Sequence, residues 1–225
     1  MHLLSILLFY YILMKYILLS FYLFFLYNTT KEKEVYYMKQ TKIYPLVLSS
    51  LFLALALVLP FVTGQLQQLG SMLLPMHLPI MLCGFICGSK YGLAVGLIAP
   101  LLRSFLFSMP MLYPNAIAMS VELATYGFTC GFLFEKSPWK CLYRVYISLL
   151  CSMFLGRVLW GIAMCFLVQG GTFTWQIFLT QSFFNAIPGI ILQLVFIPSI
   201  LLFLHKTHRM PHRHREENKV WIKQH

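Results

Sequence analysis

Charge is what this 225-residue chain has least of: charged residues make up 10% of it, and only six are acidic. Apolar residues make up 60%, a balance that excludes a soluble domain and identifies a polytopic membrane protein. Lys and Arg are missing altogether from three short segments, Thr63–Ser71, Ser108–Tyr113 and Gln169–Gln176. The six cysteines lie within apolar stretches or beside basic ones and lack the spacing of a disulfide framework. Cys83 and Cys87 are one helical turn apart, which in lipid reads as packing. The histidine-rich segment His205–Arg215 has no regularly spaced Cys or carboxylate partners, so no metal site is read there. No cofactor site is read either.

Stretches of about 17–25 apolar residues suffice to cross a hydrocarbon core of about 30 Å. Six occur, near 44–62, 72–88, 91–107, 114–134, 142–168 and 177–204. The expected fold is therefore an all-α, six-transmembrane-helix bundle over residues 38–206, followed by a basic tail over 207–225. The segments without Lys or Arg follow the first, third and fifth spans. The opposite set carries Lys39 and Lys42, Lys90, then Lys136, Lys140 and Arg144, and six more from Lys206 onward. The positive-inside rule puts both ends of the bundle in the cytoplasm, and Trp139 and Trp175 fall at opposite interfaces. The net charge of +11 is thus accounted for without nucleic acid, and the tail is expected to lie on anionic lipid headgroups.

Residues 1–37 differ from the rest. They contain no Ala, Gly, Pro, Arg, Asp, Gln, Trp or Cys, and their residues are those that AT-rich codons supply. Lys33-Glu34-Val35 can be encoded by a bacterial ribosome-binding sequence placed correctly for initiation at Met38. The segment is expected to be an upstream leader, with Met38 as the start. The alternative is an extra apolar span or an uncleaved signal anchor.

Glycine supplies the packing signal. Gly84, Gly88, Gly92 and Gly96 recur every four residues, and Gly127 and Gly131 repeat the interval, which lets helix backbones approach closely in lipid. The string Gly84–Lys90 has the wrong spacing for a phosphate loop, so any ATP is hydrolysed by another chain. Ser50 and Ala54 form a small-xxx-small pair in the first span. Inside the bundle that pair is ordinary packing; on an exposed face it is a docking strip for a partner helix.

His77, Arg103, Glu122 and Arg157 are ionisable residues inside spans, joined by polar Gln181 and Asn185. Such groups are expensive in lipid and face a cavity or a partner. At about 1.5 Å per residue, Arg103 lies roughly 6 Å from the outer end, His77 about 8 Å, Glu122 and Asn185 about 12 Å, and Arg157 about 16 Å. Gln193 alone sits deep. The cluster is expected to line a polar pocket opening outward, whose surplus positive charge suits a carboxylate or phosphate. The competing reading is a structural Glu122–Arg157 pair with Arg103 snorkelling to the interface. Tyr113, Trp160 and Trp175 are aromatic candidates for stacking on a planar ligand, and the three uncharged outer connections suit a lid.

The run Pro75-Met-His-Leu-Pro79 followed by Gly88-Ser-Lys-Tyr-Gly92, within six short spans, resembles the substrate-binding S components of energy-coupling factor (ECF) vitamin transporters. The resemblance covers residues 41–206. It implies a vitamin-binding subunit in the bacterial cell membrane that works with a transmembrane coupling protein and two cytoplasmic ATPase subunits. It implies also that ligand binds near the outer face and that the first span docks the coupling protein through Ser50 and Ala54, where relatives carry an Ala-x-x-x-Ala strip. Pantothenate is the first expected substrate, with other carboxylated or pyrimidine vitamins open, bound by His77, Arg103, Tyr113, Glu122, Arg157, Trp160 and Asn185. A stand-alone secondary transporter would need a coupling-ion site and internal repeats. An intramembrane enzyme would need a nucleophile–base pair or a metal cluster, and no catalytic residue is read here. N-terminal sequencing of the native protein should begin at Met38; a peptide from within Ser5–Tyr27 would overturn that start.

Overall fold

The structure, a computed structural model, describes residues 43–62, 74–136, 142–168, 178, 180 and 186–206. The expectations placed on residues 1–42, Trp139, Trp175, Gln181, Asn185 and the tail after 206 fall outside these. Among the described residues there is no strand. The helices are α1 (Ile43–Val62), α2 (His77–Cys87), α3 (Ser89–Phe107), α4 (Ile117–Glu135), α5 (Leu142–Leu167) and α6 (Ile187–Lys206). All but α2 belong to stretches long and apolar enough to cross a membrane.

Helix α2 departs from the expected span over 72–88. Its eleven residues rise only about 16 Å, half a hydrocarbon core. The chain enters it through Leu74, whose φ of 48° is left-handed, and through Pro75. Pro79 is tolerated because it falls in the first turn, where backbone N–H groups have no intrahelical acceptor. Every residue of α2 is buried, which explains why it shows no polar face: neighbouring helices surround it, and α1, α3, α4 and α6 all touch it.

Helix α4 is the other organising element, packing on α2, α3 and α5. Glycine makes this possible. A Cβ on Gly92 would sit 2.5 Å from the Gly127 carbonyl oxygen, and one on Gly131 2.5 Å from the Ser89 nitrogen. Gly84, Gly96 and Gly127 face neighbouring backbone more tightly still. Between α2 and α3 the chain turns at Gly88, whose φ of 103° disfavours any residue with a Cβ. The turn is then tied to the end of α4: the Ser89 N–H donates to Glu135 Oε1 at 2.9 Å and its hydroxyl to Oε2 at 3.2 Å. That carboxylate caps the N-terminus of α3, where negative charge is favoured.

Helix α5 shows the division between core and lipid. Val145, Leu149, Ser152, Met153, Gly156, Arg157 and Met164 form a buried stripe, while Leu150, Phe154, Val158, Ile162 and Phe166 are exposed. The spacing is that of one helical face. Hydroxyls within the helices are satisfied locally, as lipid requires: Thr125 donates to the Val121 carbonyl at 2.7 Å and Ser199 to Val195 at 2.6 Å.

Gly127→Ala should cost at least about 3 kcal/mol, because the new methyl meets backbone rather than a movable side chain. Thermal unfolding in detergent measures this against Leu97→Ala on an exposed face, which should change little.

Candidate functional site

Three helices bring ionisable groups to one point. Glu122 stands on the second turn of α4, Arg157 past the middle of α5, and His77 at the first position of α2. Antiparallel packing matches the first two, since each lies about four turns from the connection between α4 and α5. The Arg157 guanidinium is 3.2 Å from Glu122 Oε1, and His77 Nε2 is 3.6 Å from the same oxygen. Tyr126 completes the cluster by donating its hydroxyl to Oε1 at 2.9 Å. The His77 and Tyr126 rings are tilted against each other with centroids 5.3 Å apart.

Small residues open the space for this. Gly156 lies under the Tyr126 ring, so a Cβ there would collide with the ring edge. One turn deeper, Cys130 donates to the Ser152 hydroxyl at 3.0 Å, and Ser152 to the Leu149 carbonyl at 2.8 Å. His77, Glu122 and Arg157 are 1%, 3% and 7% exposed, so their charges interact in a medium far less screening than water. The guanidinium and carboxylate neutralise each other, and the phenol adds a charge-assisted hydrogen bond. Among the described residues, neither ring nitrogen of His77 has a hydrogen-bond partner.

The remaining expected residues are placed differently. Arg103, also buried, donates from Nη1 to the Leu57 carbonyl of α1 at 3.1 Å, with its guanidinium 6.0 Å from the Phe107 ring. Tyr113 is exposed and its hydroxyl donates to the Leu167 carbonyl, tying the start of α4 to the end of α5. Trp160 is half-buried and stacks on Phe178 at 6.3 Å, a ring seated over Gly161. Of the three connections expected to form a lid, only Ser108–Tyr113 lies within the described residues.

Ser50 and Ala54 are both exposed, in line with exposed Val47 and Val58. The Ser50 hydroxyl turns back to the Leu46 carbonyl at 2.8 Å, leaving a smooth strip of small side chains.

Tyr126 and Gly156 were not among the expected site residues. The signal for Tyr126 was its position one turn after Glu122, where an i,i+4 neighbour shares a face. Gly156 carried none beyond adjacency to Arg157.

Among the described residues no group of three metal-ligating side chains occurs. A family model described as "ECF transporter, substrate-specific component" matches residues 45–201. No curated protein and no solved structure matches the chain.

The buried pair has a measurable signature. Glu122→Gln alone should lose about 3–5 kcal/mol by leaving Arg157 uncompensated, and Glu122→Gln with Arg157→Met should recover most of that loss. Unfolding of the two variants in detergent checks this; an equal or larger loss in the double variant would contradict it.

Proposed function

The chain belongs to the family of substrate-specific components of ECF transporters, and from that premise we propose that it binds a carboxylated vitamin, pantothenate first, for an ATP-driven importer. The supporting observation is the buried meeting of Arg157, Tyr126, His77 and Glu122 on three helices. A buried guanidinium beside a phenol donor is the donor set that recognises a carboxylate. Arg103 adds a second buried cation at the α1–α3 contact.

In this reading the chain crosses the bacterial cell membrane six times with both ends cytoplasmic, α2 being the short crossing. That orientation follows the distribution of Lys and Arg, and it puts the start of α2 and the Glu122 turn of α4 toward the outside. Substrate enters from there, contacted by His77, Arg103, Tyr113, Glu122, Arg157, Trp160 and Asn185. A transmembrane coupling protein docks on α1, and two cytoplasmic ATPase subunits hydrolyse ATP. The exposure of Ser50 and Ala54 supports docking over internal packing, since small residues on a lipid-facing strip let another helix approach closely. Transport then requires that the two orientations of the subunit differ in affinity for ligand.

Native mass spectrometry of the protein purified from rich medium tests the reading. A retained small molecule of vitamin mass is expected on the wild type and not on the folded Glu122→Gln/Arg157→Met variant. If neither pantothenate nor another carboxylated vitamin leaves an adduct even when added back, the substrate assignment fails.

A further inference from the structure

The groups around Glu122 exceed what a structural ion pair needs. One guanidinium neutralises one carboxylate, yet three groups from three helices converge on Oε1: Arg157 at 3.2 Å, Tyr126 at 2.9 Å and His77 at 3.6 Å. His77 is the surplus member. It is 1% exposed, and among the described residues neither ring nitrogen has a hydrogen-bond partner. A buried polar group left unsatisfied costs free energy and calls for an explanation. A partner acquired in a second state supplies one.

We propose that Arg157, Tyr126 and His77 form an anion seat whose resting occupant is Glu122, and that a ligand carboxylate binds by displacing the Glu122 carboxylate onto His77. This rests on the reading of the chain as a binding subunit for a carboxylated ligand, and it specifies how that ligand is received. Charge balance defines the step. At rest the seat holds one cation, one anion and a neutral imidazole. With the ligand on Arg157 there are two anions, so neutrality requires one proton to enter with the ligand and reside on His77. An imbalance would leave a charge buried without a counterion, at a cost of several kcal/mol.

Other titratable groups around α2 do not substitute for His77. Arg103 of α3 donates to the Leu57 carbonyl, and Lys90 and Tyr91 stand at the far end of α2. Tyr44 opens α1, and α6 carries no titratable group over Ile187–Leu204. Cys130 of α4 is bonded to Ser152, and Cys83 and Cys87 lie further along α2 itself.

Acetate, the simplest carboxylate, is the probe, with chloride at equal ionic strength as control and thermal unfolding of the full chain as readout. Glu122→Gln empties the seat of its occupant. Acetate should then stabilise this variant with a half-saturating concentration about tenfold or more below that of wild type. The Glu122→Gln/Arg157→Met variant should not respond. The wild-type response should grow on going from about pH 8 to about pH 6, because binding takes up the proton of an imidazole, whereas that of Glu122→Gln should stay flat. Recovery of folded Glu122→Gln only in acetate counts as the same rescue. If that variant folds in neither salt, Tyr126→Phe decides, since it loosens Glu122 and keeps the ion pair: acetate stabilisation beyond wild type supports the seat, and its absence refutes it. A folded Glu122→Gln that ignores acetate overturns the proposal and leaves Glu122–Arg157 a structural strut. That result with a vitamin adduct intact on the wild type refutes the seat alone; rescue without any adduct refutes the vitamin and leaves the seat standing.

Discussion

Contact of backbone with backbone, where α2, α3 and α4 cross, is the constraint on which the rest of the structure depends. In lipid the apolar tails solvate side chains as well as a protein core does, so helices gain little from burying them. Close packing must supply the difference, and here it does so through Gly84, Gly92, Gly96, Gly127 and Gly131. Because these positions lack side chains, the short α2 can be enclosed on all sides. The enclosure in turn puts His77, at its first residue, against Glu122 and Tyr126.

The polar cluster is therefore a product of the glycine contacts as much as of its own charges. Arg157 approaches from α5 over Gly156, which leaves room for the Tyr126 ring between the two helices. Without that gap the phenol would have no path to Oε1. A carboxylate held by a guanidinium and a phenol in a dry setting is stable only while all members stay in place. In the proposed seat, this dependence on every member is what a ligand carboxylate would exploit in competing with Glu122 for Arg157.

Much of this was legible in the sequence. The expected spans at 44–62, 91–107, 114–134 and 142–168 agree with α1, α3, α4 and α5 to within a few residues, because hydropathy and the proline and glycine boundaries act locally. The glycine interval was legible for the same reason. A Glu122–Arg157 pair was legible only as the competing reading, from depths of about 12 and 16 Å. What escaped depended on which helices face each other, and periodicity along one helix carries no such information. Arg103 and Arg157 look equivalent as in-span cations, yet one serves the α1–α3 contact and the other the cluster. Helix α2 was given too many residues, because an apolar run buried by protein resembles one bathed in lipid. Tyr126, one of thirteen tyrosines, is marked in the sequence only by its place one turn after Glu122.

The tie from Ser89 to Glu135 has a mechanical meaning. Two hydrogen bonds, with Gly131 packed against the Ser89 backbone, join the α2–α3 turn to the last turn of α4. Three helices are thus pinned together at one end, while at the other α2 begins only a short way past the middle of the bundle. The Gly96 contact with the Leu123 backbone continues that bracing to the residue beside Glu122. The frame is thus a splint: His77 and Glu122 are carried on braced helices, and Arg157 reaches them from α5, outside it.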